Sequence, residues 1–244
     1  MSLELKVLPD PAEVAASVAE RFLQRMAAAQ ARGEEPHVAL TGGSIAHAVH
    51  QQIALRAPAY DVDWSRVVFW WGDERFVAPD SDERNARDAR AVLLDVVGAT
   101  QVHEIPSTAG ATDVDAAATA YSELVRSSGA GEFDLVMLGM GPDGHVASLF
   151  PGFPQLDVTD RIAVPVTGSP KPPPERVSLT FPALNRSRAV WFLVTGAGKA
   201  DAVRRALAED GDIHETPARG IRPAPASGGG DTTWFLDLPA AADL

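Results

Sequence analysis

The sequence predicts an α/β fold: a single domain over residues 1–244, with a mainly parallel, Rossmann-like sheet flanked by helices on both faces. Short apolar runs such as Val67-Val68-Phe69-Trp70-Trp71 and Leu135-Val136-Met137-Leu138 read as strands buried on both faces. These runs alternate with segments of helical periodicity, which implies right-handed crossovers and parallel pairing. Several of them empty into glycine-rich or charged sequence, where ligands of open α/β sheets bind.

The elements follow in order. Leu3 to Leu8 is a first strand. Asp10-Pro11-Ala12-Glu13 marks a helix start, with a capping Asp, Pro at the first position and Glu three residues after the cap. Val14, Val18, Phe22 and Met26 then recur every four residues, predicting an amphipathic helix that ends near Gly33. His37 to Leu40 is a buried strand, and Thr41-Gly42-Gly43-Ser44 turns it into a helix through about Arg56. Val67 to Trp71 is a strand leading into the charged turn Gly72-Asp73-Glu74-Arg75. Asn85 to Val97 reads as helix, Val102 to Ile105 as a brief strand, and Asp113 to Ser127 as an Ala-rich helix. The run from Phe133 to Leu138 opens into Gly139-Met140-Gly141-Pro142-Asp143-Gly144-His145. Arg161 to Val166 and Arg176 to Thr180 are strands around a Pro-rich loop, Ser169 to Pro174. Ala189 to Val194 is followed by Gly196-Ala197-Gly198-Lys199 and a helix to Leu207. Thr232 to Leu238 is the last strand; the Gly/Pro-rich stretch 211–230 lies too near the end to link domains.

Composition narrows the function. A 45% hydrophobic fraction suits a globular chain, and no apolar run approaches the roughly 20 residues of a membrane span. Met1 to Lys6 has neither the basic start nor the apolar core of a secretory signal, so a cytoplasmic location is expected. With no cysteine, disulfides and thiolate metal sites are excluded. The net charge of -12 argues against nucleic acid and anionic membrane as partners. An anionic ligand would need local cations, and lysine is scarce: Lys6, Lys171 and Lys199 only. A monomer or weak homo-oligomer is the expectation.

Four strand ends carry candidate chemistry: Thr41 to Ser44, Gly72 to Arg75, Gly139 to His145, and Gly196 to Lys199. In one parallel sheet they could converge on one crevice. Gly42, Gly43 and Ser44 at a strand–helix junction offer close backbone approach and free N–H groups to an anion. The plainer alternative is a tight turn with Ser as cap. Gly139-x-Gly141-x-x-Gly144 spells a dinucleotide fingerprint in the wrong context. It lies past mid-chain, Pro142 lacks a donor N–H, and no acid ends the next strand. His145, directly after Asp143-Gly144, is instead a candidate general base. One of the charges of Asp73-Glu74-Arg75 should face the crevice. Arg176 opens a strand, and Lys199 beside a glycine-rich helix start suits a phosphate. His37, His47, His50, His103 and His214 show no metal-ligand spacing; His47 and His50 share a helix face. No metal site follows from their spacing.

These residues carry a resemblance. Leu40 to Ser44, Trp71-Gly72-Asp73-Glu74-Arg75-Phe76-Val77, Asn85, Leu138 to Phe150, Arg176 to Thr180, and Gly196 to Ala200 resemble the 6-phosphogluconolactonase family. That family sits within a wider group with glucosamine-6-phosphate deaminases and ribose-5-phosphate isomerases. The match runs over nearly the whole chain. It implies cofactor-free hydrolysis of 6-phospho-D-glucono-1,5-lactone to 6-phosphogluconate in the oxidative pentose phosphate pathway. By matching positions, Gly42, Gly43, Ser44, Arg176, Lys199 and Asn85 look like substrate and phosphate ligands. Asp73, Arg75, Asp143 and His145 look like the lactone end, with His145 activating water. The alternatives are an amino-sugar phosphate deaminase or isomerase of the same fold and a non-catalytic sugar-phosphate binder. The deaminases follow the His with a run ending in Asn-Glu-Pro, where this chain has Val146-Ala147-Ser148-Leu149-Phe150-Pro151 and no carboxylate.

Overall fold

The apolar runs become strands in a computed structural model that describes residues 2–128, 131–225 and 228–244. Met1, and residues 226–227 of the Gly/Pro-rich stretch, lie outside the described residues. β1 (Ser2–Leu8) leads into α1 (Pro11–Ala31), and β2 (His37–Leu40) into α2 (Ser44–Arg56). β3 (Val68–Trp71) runs through Gly72 into β4 (Asp73–Arg75). α3 (Asn85–Ala89) continues through a π-wound stretch, Arg90–Leu94, into α4 (Asp95–Val97). β5 (Gln101–Val102), α5 (Val114–Ser127) and β6 (Leu135–Gly139) follow. β7 (Ala163–Val166), β8 (Arg176–Leu179), α6 (Phe181–Asn185), β9 (Ala189–Val194), α7 (Ala200–Leu207) and β10 (Asp231–Asp237) complete the order.

Local chemistry explains the boundaries. The Asp10 carboxylate accepts from the N–H groups of Ala12 and Glu13 at 2.9 Å, and Pro11 opens α1 without losing a bond. Val14, Val18, Phe22 and Met26 are all fully buried, as their spacing predicts. Asp113 caps α5 through Ala116 N–H at 2.8 Å.

Seven strands form a parallel sheet in the order β1-β10-β9-β6-β2-β3-β5. From β2 the chain adds β3 and β5 on one side, then returns to lay β6, β9 and β10 on the other. The switch point therefore lies between β2 and β6, where open α/β sheets bind ligands. There Gly139 N–H donates to Thr41 Oγ1 at 3.3 Å. The strands carrying the four predicted strand-end segments, β9, β6, β2 and β3, are consecutive neighbours.

The expected charged turn at Asp73–Arg75 is instead a strand, in a small antiparallel sheet β4-β8-β7. The strands expected at 161–166 and 176–180 also belong to this sheet. Tertiary pairing overrides weak strand propensity here. Gly72 joins the two sheets: its N–H bonds Leu40 C=O at 2.9 Å, and its C=O accepts from Leu179 N–H at 2.8 Å. The expected plain helix from Asn85 to Val97 contains the π-wound turn, where adjacent Leu93 and Leu94 are both fully buried. Such turns are uncommon and often flank functional sites. No helix among the described residues is long and apolar enough to cross a membrane.

His50 lies buried in α2 with its Nδ1 unpartnered, and burial pushes its pKa from 6.5 down to about 4. It folds neutral, whereas the unfolded chain protonates near pH 6.5. Stability is therefore lost as pH falls from about 6.5 to about 4, by about 3 kcal/mol for this group. His50→Leu is expected to flatten that part of the profile, read by urea unfolding at about pH 7 and about pH 4.5. A variant profile parallel to the parent's would assign the acid loss to other groups.

Candidate active site

The turn after β6 is closed by two backbone bonds of 3.0 Å, Gly141 N–H to His145 C=O and Gly144 N–H to Gly141 C=O. Gly144 adopts φ +84°, a region open to glycine. No helix opens after Gly144, so the G-x-G-x-x-G spelling lacks the helix N-terminus a pyrophosphate would need. The turn aims two side chains at each other: Asp143 Oδ1 and His145 Nδ1 stand 2.5 Å apart. Asp143 Oδ1 also accepts from His145 N–H at 3.3 Å. The imidazole packs on Phe150, ring centroids 4.6 Å apart. Burial opposes ionisation of Asp143, but its bond to His145 and the charge there outweigh this and hold it at about 2. Gly141 is required sterically, since a Cβ would lie 2.1 Å from the His145 ring and 2.3 Å from Asp143 Oδ1.

His145 opens on a cavity of about 240 Å³. Asp73 and Arg75 line it, and Glu74 does not. Side chains alternate along a strand, so Glu74 turns the other way and is fully buried. There it accepts from the N–H groups of Asn85 at 2.9 Å and Ala86 at 2.8 Å, closing the start of α3. Burial pushes the Glu74 pKa up, against the nearby Arg84 charge and those N–H donors. Asp73, also buried, accepts from the Ser148 hydroxyl at 2.6 Å.

The register of β4 on β8 places Arg75 directly opposite Arg176. Like charges facing across strands are unfavourable unless an anion joins them. Arg176 is 4% exposed and donates to the carbonyls of Lys171, Pro172 and Pro173 at 3.1–3.2 Å, pinning the Pro-rich loop. Burial lowers its pKa against the pull of the Asp73 charge, with Arg75 adding to the lowering. Lys171 and Lys199 line the same cavity. Lys199 Nζ donates to Met140 C=O at 2.7 Å. Burial lowers both lysine pKa values against the attraction of Asp143, with Arg176 and Arg75 adding to the lowering at Lys171 and Lys171 adding to it at Lys199. An acidic chain thus gathers two of its three lysines at one cavity.

Gly42 and Gly43 form the facing wall. A Cβ on Gly42 would strike Asn85 Oδ1 at 1.8 Å. Asn85 holds Asp73 C=O at 3.2 Å, and its Oδ1 also receives the Arg75 guanidinium. Gly43 caps α2 at φ +98° with no side-chain cap bond, so Ser44 is the first helical residue and not the cap. Ser44 is exposed and lines an adjoining cavity of about 320 Å³. The two cavities share Gly43, Arg75, Asn85 and Pro172. Asp143 lines neither; it stands behind His145. Among the described residues no cluster of His, Asp or Glu could hold a metal ion.

The profile of the family described as glucosamine-6-phosphate isomerases/6-phosphogluconolactonase matches residues 9–234. The chain belongs to this family. A 6-phosphogluconolactonase of Mycobacterium tuberculosis is 42% identical, over 100% of this chain and 99% of that one. One from Streptomyces coelicolor is 41% identical, over 99% of this chain and 94% of that one. Among solved structures, the 6-phosphogluconolactonase of Trypanosoma brucei superposes with TM-score 0.83 at 27% identity, over 100% and 99% of the two chains. A monomeric glucosamine-6-phosphate deaminase at 17% identity and TM-score 0.81 shares the fold.

In this member of the glucosamine-6-phosphate isomerase/6-phosphogluconolactonase family, the cavity wall also takes Thr41, Gly139, Met140 and Gly141 from the predicted strand ends, and Ala147, Lys171 and Pro172 from outside them. Lysine scarcity was the signal for Lys171. Ala147 carried none; it sits at φ 48°, a left-handed conformation that costs a non-glycine residue about 1–2 kcal/mol. The strain lies in the turn where Val146, Leu149 and Phe150 are fully buried and Ser148 reaches Asp73.

Proposed function

We propose that this chain hydrolyses 6-phospho-D-glucono-1,5-lactone to 6-phospho-D-gluconate, the second step of the oxidative pentose phosphate pathway. The observation that carries the reading is a His–Asp pair opening on a small cavity ringed by Arg75, Lys171, Arg176 and Lys199. Relatives at 41–42% identity bear the name of this activity. The volume of about 240 Å³ lies below the roughly 300–1,000 Å³ of drug-sized sites, which suits one small polar substrate.

In this reading, ionised Asp143 keeps the His145 proton on Nδ1 and leaves Nε2 as acceptor. Nε2 takes a proton from water as its oxygen bonds to the lactone carbonyl carbon. Arg75 faces the oxyanion that develops. The carbon–ring oxygen bond then breaks, and the imidazolium returns the proton to the leaving alkoxide, giving a hydroxyl and a carboxylic acid, which releases its proton to solvent as the carboxylate. Gly42, Gly43 and Ser44, with Arg176 and Lys199, hold the phosphate; Asp73 and Asn85 orient the ring and Arg75. Lys171 joins the phosphate set. A phosphosugar does not cross membranes unaided, which supports a cytoplasmic location.

A deaminase needs a carboxylate for ring opening after the His. Here the following turn supplies only packed apolar side chains and Ser148. A non-catalytic binder would keep the cations and have no use for the His–Asp pair. The deciding assay generates the lactone with glucose-6-phosphate dehydrogenase and follows its decay. No acceleration over spontaneous opening would sink the proposal. Lys171→Met is expected to raise KM at least about tenfold with kcat within a few-fold, since a charged phosphate hydrogen bond contributes about 1.5–3 kcal/mol. An unchanged KM would remove Lys171 from the phosphate set.

A further inference from the structure

The two edges of the main sheet are unlike. β5 is two residues long, a short edge that offers little to another strand. β1 is seven residues long, pairs among the described residues only with β10, and carries no bulge or proline. Leu8 C=O accepts from Leu238 N–H at 2.9 Å, so Leu8, Lys6 and Glu4 turn their main-chain groups toward β10. By alternation Leu3, Leu5 and Val7 turn theirs outward. The same residues expose apolar side chains, 59%, 47% and 44% accessible. A long open ladder beside an apolar row is what folded proteins usually avoid leaving uncovered.

The sequence of β1 is complementary to itself. In an antiparallel pair of two copies centred on Leu5, positions whose numbers sum to ten stand opposite. Leu5 meets Leu5, and Leu3 meets Val7, all with outward main-chain groups. Glu4 meets Lys6 twice, opposite charges in the closer, non-hydrogen-bonded positions. Glu4 lies on the side of α1, where it pairs with Arg21 at 2.7 Å and remains 49% exposed. Lys6 lies on that side too, over the Phe235 ring. We propose that a second copy of this chain docks on β1, forming a two-fold dimer with one continuous sheet across both protomers. An isologous contact of this kind consumes the edge and stops at two. β1 lies at the far side of the sheet from the β2–β6 switch point, so the contact leaves the active site free.

Sedimentation equilibrium over a concentration series tests this on the whole chain. The parent is expected to dimerise weakly, as befits an interface of a few residues. Lys6→Glu places two Glu–Glu pairs across the axis, and Glu4→Lys places two Lys–Lys pairs. Each is expected to weaken self-association at least about tenfold, with turnover unchanged. Mixing the two variants restores opposite charges at every position and is expected to recover the parent's association, which a folding defect would not allow. A parent that stays monomeric at about millimolar concentration overturns the proposal. So does a dimer indifferent to both substitutions, or a mixture that fails to associate.

Discussion

His145→Ala is expected to lower turnover at least about a hundredfold, with KM for the lactone close to the parent's. The imidazole is held by Asp143 at 2.5 Å and by the Phe150 ring, and the cations that surround the cavity come from other segments. In the proposed mechanism, removing the imidazole deletes proton transfer while the groups assigned to the anion stay. Because the lactone opens without help, the rate must be corrected for the uncatalysed reaction. Asp143→Asn makes the companion measurement: it keeps the shape and removes the charge that fixes the Nδ1 proton. It should also lose turnover, by a smaller factor, because the imidazole remains. Near-parental turnover in His145→Ala would take the base role away from this residue.

Gly141→Ala is expected to cut turnover by about a hundredfold through a single methyl group. That methyl would stand 2.1 Å from the His145 ring and 2.3 Å from Asp143 Oδ1, so the pair must separate or turn. Displacing a catalytic group by about 1 Å can cost a factor of this size. Gly198→Ala is the matched control, since a Cβ there meets nothing within 4 Å. Both variants should unfold near the parent's denaturant midpoint. Equal activity in Gly141→Ala and Gly198→Ala would mean that the His–Asp contact does not limit the reaction.

Much of the fold was legible because local signals agreed with tertiary demands. Asp10, Pro11 and the four-residue spacing from Val14 announce α1, and uninterrupted apolar runs announce β2, β3, β6 and β9. What escaped depends on distant pairing. Asp73-Glu74-Arg75 has no apolar alternation, and it becomes strand only because β8 lies beside it. That pairing decides which neighbours face the cavity: Asp73 and Arg75 do, while Glu74 closes α3. The candidate site was legible in the same uneven way. Strand ends at Gly42, Gly139 and Lys199 follow from topology. Lys171 lies in a Pro-rich loop whose path no periodicity foretells, and Ser44 could be read as cap or ligand until Gly43 took the cap position. Asp143 is set apart from the cavity by the turn that orients it toward His145.

The ring of Arg75, Lys171, Arg176 and Lys199 sets function against durability. Four like charges around one small hollow, only partly offset by Asp73 on its wall and Asp143 behind His145, raise the free energy of the empty protein. Arg176 and Lys199 recover part of that by fastening backbone carbonyls. Lys171 is anchored in its loop through its main-chain N–H to Ser169. Selection for heat tolerance alone, without selection on catalysis, would therefore erode this pocket, beginning at Lys171. In the proposed reading, the cation that does least for the resting fold, Lys171, is one that would hold the substrate phosphate.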